Sequence, residues 1–401
     1  MLSIHSCPLG QLGSRDTGGM NVYVRELSRQ LGLLGHEVDI FTRAHDPRDA
    51  QMEKPFQNVR LIHIRAGRVE DMGKMAQLSH LAEFTQNMAE FTSAGPRYDI
   101  LHSHYWLSGL VGRQFGEAWG IPQIVMFHTL GAIKNSLPVG EPEPDVRLRA
   151  ESSIVRDSRR LVAATENEKT QLSHFYDAPL ERVSVIPCGV NLEIFHPVDK
   201  FIAREALGLG KFDEIVLSVG RIEPLKGLDR LIEACSLINR PNLKLLIIGG
   251  DEYSRVEVDR LKGLSVELGI GDRITFPGTI KQDRLSLYYS TADVSVVSSY
   301  YESFCLIILE SLACGTPVVS TDVGVAPLVI KGANGLVVSC NEATTLARGV
   351  ERVILERRAF TPDLVRSSVE TYGWPYIGRR ISELYDSALF PNPVPQGQIR
   401  S

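Results

Sequence analysis

Two cations and two carboxylates stand out by their spacing. Arg221 and Lys226, in VGRIEPLKG, occupy a loop between an apolar run and a helical pattern. A guanidinium offers paired donors in a plane and an ammonium offers a point charge, so the two together suit a diphosphate. A merely solvated helix start is the blander reading, but the helix dipole disfavours cations there. Glu302 and Glu310 bracket the apolar middle of ESFCLIILE. A helix beginning near Ser303 places Glu310 two turns on, rotated from Glu302 by only about 80°. Both acids then face one ligand lying across the helix start, where the amides of Phe304, Cys305 and Leu306 have no intrahelical partner. An incidental exposed Glu310 fits poorly beside Leu306, Ile307, Ile308 and Leu309.

A second group lies in the first half. DTGGMN, Asp16 to Asn21, leads from an apolar run into a helical one. Gly18 and Gly19 would let a ligand approach the backbone, and the helix start offers N–H groups to phosphate. The stretch is not GxGxxG, and on its own it is weak evidence: a plain strand-to-helix turn explains it better. HSHYWLSG and FHTLGAIKN bring His102, His104, His128, Tyr105, Thr129 and Lys134 to the ends of two predicted strands. A lone histidine is more often structural than catalytic; three at neighbouring strand ends bring the two readings level.

These loops need a scaffold that gathers them. LSIHS, EVDIFTR, VRLIHIR, YDILHSH, QIVMFHT, RRLVAATE and RVSVIPCG read as strands separated by helical patterns. After the connection GVNLEIFHPV the pattern restarts with EIVLSVG, KLLIIGG, RITFPG, DVSVVSS, PVVSTD and GLVVS. Alternating strands and helices imply α/β architecture, here two doubly wound parallel sheets in series. Such sheets bind ligands beyond the carboxyl ends of their strands, in the cleft between the two units. The expected division is 1–195 for the first domain and 196–370 for the second. A helix over 371–390 then packs back on the first domain, and a disordered tail occupies 391–401.

Composition narrows the function. At 401 residues the chain is too long for one core, so two domains are expected. A net charge of −5 argues against nucleic acid and an anionic membrane surface. No window is long and apolar enough for a membrane span, and MLSIHSCPLG lacks the basic start of a signal peptide. Six scattered cysteines without a CxxC pair suit reduced thiols in the cytoplasm rather than a zinc site.

Taken together, E-x7-E, Arg221-x4-Lys226, GGMN and FHT resemble the retaining GT-B glycosyltransferases of family 4 over nearly the whole chain. The first half looks most like the D-inositol-3-phosphate glycosyltransferases, with sucrose-phosphate synthases close behind. The resemblance implies a GT-B fold of two Rossmann-like domains and a nucleotide-sugar, expected as a UDP-sugar, serving as co-substrate. No tightly bound cofactor is implied, and Mg²⁺ is expected to be dispensable. Arg221 and Lys226 would hold the donor diphosphate and Glu310 the ribose. Glu302, with the amides of Phe304, Cys305 and Leu306, would hold the transferred sugar. Gly18 and Gly19 would face the donor phosphates, Ile280 the base, and His128 the sugar's 6-hydroxyl. His128, Arg221, Lys226 and Glu302 form the implied catalytic set. The acceptor would meet His5 and the loop Asp16, Thr17, Gly18, Gly19, Met20 and Asn21. Its phosphate would meet Lys74, Tyr105, Thr129 and Arg147, with Lys134 and Arg149 adding to that cluster. Two departures stand inside the motifs: the family usually has glycine where Cys305 and Val325 stand.

The implied reaction moves a hexosyl unit to a small phosphorylated sugar or polyol such as inositol 3-phosphate, with fructose 6-phosphate as the alternative. The anomeric configuration is retained. Double displacement would need a carboxylate nucleophile at the anomeric carbon. Glu302 is assigned to sugar binding, so same-face attack is favoured. A lipid or polysaccharide acceptor is a rival, but the segment beginning at Val69 lacks the basic amphipathic face a membrane requires. A non-catalytic nucleotide-sugar-binding module is the rival from another class; the intact set of ionisable residues argues against it. A monomer or homodimer is expected.

Overall fold

The computed structural model describes residues 1–10 and 17–390. Asp16 and the tail 391–401 lie outside the described residues.

The first sheet comprises β1 (Val38–Arg43), β2 (Met52–Phe56), β3 (Val59–Ile64), β4 (Leu101–His104), β5 (Gln123–Met126), β6 (Arg160–Ala163) and β7 (Val183–Val185). Its strands run β2-β3-β1 on one side and β4-β5-β6-β7 on the other. LSIHS fills the gap between them, although only Leu2 forms true bridges, to Phe41 and Ser103. Leu2 donates to the His102 carbonyl at 2.9 Å and Ser3 to the Phe41 carbonyl at 2.9 Å. The Ile4 amide then turns to the Ser108 hydroxyl at 3.0 Å, so the predicted strand ends early. Counting this segment as the first strand and setting aside the antiparallel edge strand β2 gives 3-2-1-4-5-6-7, the doubly wound order with one strand added. β2 was not expected from the sequence. It pairs antiparallel with β3 and carries Pro55, a residue tolerated only where no ladder N–H is needed.

The second sheet comprises β8 (Glu214–Val219), β9 (Leu243–Ile248), β10 (Ile274–Gly278), β11 (Val294–Val297), β12 (Val318–Thr321) and β13 (Gly335–Val338). Its order, β10-β9-β8-β11-β12-β13, repeats the doubly wound pattern with every pair parallel. Parallel strands covered on both faces read as nearly continuous apolar runs, as β9 and β11 do, each broken by one polar residue, Lys244 and Ser295.

The chain ends by returning to its beginning. Helix Trp374–Leu389 lies against helix Gly19–Leu33, where Gly378 meets Gln30 too closely to admit a side chain. Trp374 stands edge-on to Tyr23, and the Tyr385 hydroxyl lies 2.7 Å from His102 Nδ1. Among the described residues no helix is long and apolar enough to cross a membrane. All six cysteines are free thiols, and all but Cys340 are buried.

Candidate active site

The carboxyl ends of the two sheets face one another across a cavity of about 350 Å³. Gly18, Gly19, Arg221, Lys226, Ile280, Glu302, Phe304, Cys305, Leu306 and Glu310 line it, as do His5, Thr17, Met20, Asn21, Lys74, Tyr105, His128, Thr129 and Lys134. Residues brought together from loops hundreds of positions apart thus share one space. Arg147 and Arg149 do not line it.

Two helix starts converge there. Helix Gly19–Leu33 begins at Gly19, and the Gly18 N–H is accepted by the Asn21 side chain at 3.0 Å. Asn21 is fully buried; its amide also donates to Ser6 Oγ and the Cys7 carbonyl, both at 2.7 Å. Its polar atoms are therefore spent on fixing the loop. A Cβ on Gly18 would meet nothing, whereas one on Gly19 would lie 3.5 Å from Leu306 Cδ1. Leu306 opens helix Leu306–Ala313, so the two starts abut across the cavity, each presenting N–H groups and the positive end of its dipole.

The second of these helices begins later than expected, at Leu306 rather than Ser303. The Phe304 carbonyl accepts from the Val325 amide at 2.8 Å and is drawn out of helical geometry. The unpartnered amides of the first turn are therefore those of Leu306 and Ile307. Cys305 precedes them with φ 75°, the left-handed region that favours glycine. Tyr105 (φ 76°) and His128 (φ 61°) also have positive φ and also line the cavity, which gathers backbone strain at one place. Gly324, at φ 52°, leaves no room for a side chain against the Phe304 carbonyl. Its neighbour Val325 has ordinary helical angles and is buried, so the backbone needs only the first glycine of the usual pair. Cys305→Gly is expected to be more stable than Cys305→Ala by about 1–2 kcal/mol, since both remove the thiol and only glycine relieves the left-handed strain. Denaturant midpoints of the two variants check this; equal midpoints would mean the loop carries no strain.

The charged residues are already paired. Lys226 Nζ lies 2.7 Å from Glu302 Oε1, which also accepts from Ser299 Oγ at 2.8 Å. Burial opposes the Lys226 charge, but Glu302 more than restores it and holds the ammonium above the ordinary lysine range. Arg221 lies on the half-exposed rim, 3.0 Å from Glu223. Glu310 is 8% exposed and its Oε2 accepts from the Tyr289 hydroxyl at 2.8 Å. Burial pushes this carboxyl up to about 7, against the pull of Tyr289, Gln282 and Arg25.

On the opposite wall His128 Nε2 meets His104 Nδ1 at 3.1 Å, and the Tyr23 ring packs against both. Burial holds His128 down to about 3, so at neutral pH it is an uncharged hydrogen-bonding group and no proton reservoir. His102 faces away, to Tyr385. The His5 ring packs at a tilt on Tyr105, with centroids 4.3 Å apart, and Lys74 Nζ lies 5.5 Å from the centre of the same ring.

Arg147 is placed differently from the expectation. It is 1% exposed, packs over Tyr105 at 4.9 Å, and pairs with Glu151 at 2.8 Å and Glu143 at 2.7 Å. It also donates to the Thr129 carbonyl and hydroxyl, at 2.8 and 3.0 Å. Glu143 bridges Arg147 to Lys134. Arg147 therefore supports the wall from behind, and Arg149 points to solvent on the same helix, Asp145–Asp157. Sequence reasoning missed Glu143 and Glu151. Part of their signal was available, since Arg147 and Glu151 are four apart on one helix face, but Glu143 lies ahead of the helix, which starts at Asp145. Gln282, Tyr289 and Ser299 were missed as well, and no local pattern marks them.

Comparison with known proteins bears on both halves. Residues 18–189 match the family model described as glycosyl transferase 4-like domain, and residues 199–364 that described as glycosyl transferases group 1. The chain is 38% identical to D-inositol 3-phosphate glycosyltransferase 2 of Catenulispora acidiphila, covering 97% of this chain and 94% of that one. It is 42% identical to the D-inositol 3-phosphate glycosyltransferase of Mycolicibacterium gilvum, over 86% and 80%. Among solved structures, sucrose-phosphate synthase from Thermosynechococcus elongatus superposes with TM-score 0.90 at 32% identity, over 96% and 97% of the two chains. Anabaena HepE in complex with UDP-glucose shares the fold, with TM-score 0.75 at 18% identity over 94% and 98%.

Proposed function

Since the chain belongs to the GT-B glycosyltransferases, with a glycosyl transferase 4-like half and a group 1 half, and is a hexosyltransferase, we propose that it moves a hexosyl unit from a UDP-sugar to a hydroxyl of a small phosphorylated polyol such as inositol 3-phosphate, with retention. The observation that carries this reading is a single cavity with two unlike walls. One wall holds the helix start at Leu306 with Arg221 and Lys226, met across the cavity by the helix start at Gly19, and these suit a diphosphate; the other holds Lys74, Lys134, Tyr105 and Thr129, which suit a monophosphate. The names of the relatives point to the same acceptor. In this reading Glu310 receives the ribose hydroxyls, Glu302 the sugar hydroxyls and His128 the 6-hydroxyl.

The acceptor hydroxyl attacks the anomeric carbon on the face that the diphosphate leaves. Its oxygen forms the new C–O bond as the bond to the phosphate oxygen breaks through an oxocarbenium-like state. The leaving diphosphate takes the acceptor proton. Charge grows on the diphosphate as its bond breaks, so Arg221, Lys226 and the helix starts act more strongly on the transition state than on the bound donor. Binding a sugar hydroxyl would draw Glu302 from Lys226 and release the ammonium to the diphosphate. No metal is required in this scheme.

Fructose 6-phosphate is the second reading, favoured by the close superposition on sucrose-phosphate synthase. A screen of UDP-, ADP- and GDP-sugars against inositol 3-phosphate, fructose 6-phosphate and their unphosphorylated forms tests both. Transfer to a phosphorylated acceptor is expected, with the unphosphorylated counterpart failing. Equal transfer to both forms would refute the phosphate site.

A further inference from the structure

Helix Gln282–Thr291 carries a side chain that reaches both halves of the cleft. Gln282 lines the cavity at the start of that helix, and its Oε1 accepts a hydrogen bond from Nη2 of Arg25. Arg25 belongs to helix Gly19–Leu33, 257 positions away in the chain. Arginine can only donate. With the amide oxygen committed to Arg25, the amide nitrogen is left for the side of Glu310: Gln282 and Tyr289 are seven apart on one face of this helix, the Tyr289 hydroxyl bonds Glu310 at 2.8 Å, and Gln282 and Glu310 line the same cavity. An ionised carboxylate only accepts, so donor and acceptor match at each end of the glutamine. Arg25 itself is steadied by the neighbouring Glu26, which also meets Arg29.

We propose that Gln282 is a cross-cleft positioning residue. Arg25 of the first half fixes the orientation of its amide, and the amide in turn holds Glu310 as a carboxylate aimed at the ribose hydroxyls of the donor. Docking of the two halves is thereby linked to the quality of the nucleotide seat in the second half. The inference rests on the ribose assignment of Glu310 made above. The groups facing Glu310 are Tyr289 and Gln282 from helix Gln282–Thr291, Arg25 across the cleft, and the thiols Cys305 and Cys314 at its own helix ends. Helix Pro362–Ser367 packs nearby, but its Arg366 is committed to the carbonyls of Phe195, Ala313 and Leu192. Tyr289 is the neutral donor bonded to the carboxylate, Gln282 is its second donor in this proposal, and Arg25 is the nearby cation. Loss of Gln282 removes one donor and disconnects the cation, and both changes favour the protonated acid. The ionised fraction then falls at any pH below the midpoint, and the midpoint of donor affinity moves upward from about 7.

The test is calorimetric binding of UDP and of 2′,3′-dideoxyuridine diphosphate to wild type, Gln282→Leu, Arg25→Met and the double variant, at pH values on both sides of 7. Gln282→Leu is expected to weaken UDP binding about tenfold, the worth of one hydrogen bond to a charged group. Arg25→Met shifts it in the same direction by less, and the double variant is no worse than Gln282→Leu. The pH midpoint of UDP affinity rises in each. The dideoxy nucleotide, lacking the hydroxyls that Glu310 receives, binds all four proteins alike. Unchanged UDP affinity in both single variants would overturn the inference, as would an equal loss with both nucleotides or additive effects of the two substitutions. Wild-type protein that fails to bind UDP, ADP and GDP would overturn the donor assignment itself and this inference with it. Arg25→Met keeps the test decisive should Gln282→Leu fail to fold.

Discussion

Lys226→Ala is expected to lower kcat by about 10²–10³-fold, the usual cost of removing one preorganised group from a site of developing charge. Lys226 is held at the end of a tight turn, Pro224–Lys226, closed by Gly227 at φ 59°, where a side chain would run into the Ser298 carbonyl. The turn fixes the backbone and Glu302 fixes the ammonium, so little reorganisation remains when a diphosphate arrives. Part of the loss could come from leaving Glu302 without its cation. Lys226→Ala/Glu302→Gln separates the two contributions, because it removes that stranded charge while keeping the loss of the ammonium. Single-turnover rates at saturating donor measure the chemical step directly. A Lys226→Ala enzyme with near-wild-type turnover would refute the assignment of Lys226 to the leaving group.

Arg147→Met is expected to cost about 3–5 kcal/mol of stability, the range for breaking a buried pair and stranding one charge. Glu151 is fully buried and accepts from Arg147, from the Gly131 amide at 2.9 Å and from the Tyr176 hydroxyl. Removing the guanidinium leaves that carboxylate with neutral donors only. It also frees Thr129, unseats Glu143 and takes the cation from behind Tyr105. Adding Glu151→Gln should return part of the loss, since the stranded charge is then gone. Chemical denaturation of the single and double variants gives the numbers. An Arg147→Met protein of wild-type stability whose acceptor KM rises more than tenfold would show instead that Arg147 binds the phosphate itself.

The sequence made the scaffold readable because parallel strands buried on both faces appear as short apolar runs, and twelve of these runs fall on strands. Exceptions have local causes. β2 is an edge strand with a proline and poor alternation, and LSIHS leaves its ladder when Ile4 turns to Ser108. Within the cavity, Arg221, Lys226, Glu302 and Glu310 could be placed because their loops follow strand ends; the helical offset between Glu302 and Glu310 did not hold, since Glu302 lies four residues ahead of the helix that carries Glu310. The start of the helix carrying Glu310 could not, because it depends on the bond between Phe304 and Val325, two loops brought together only by folding. Arg147 looked like a ligand because residue type announces charge, while burial and partners do not show in type. The pairing of Arg25 with Gln282 is wholly tertiary and left no trace in spacing.

The most direct test of the account is the product formed from an α-linked UDP-hexose and inositol 3-phosphate, identified by mass and by its anomeric proton signal as soon as it forms. The account predicts one hexosyl unit joined to an intact inositol phosphate in the α configuration, with no product from unphosphorylated inositol. A β-linked product would contradict same-face attack, and release of free hexose without transfer would contradict the assignment of the opposite wall to an acceptor.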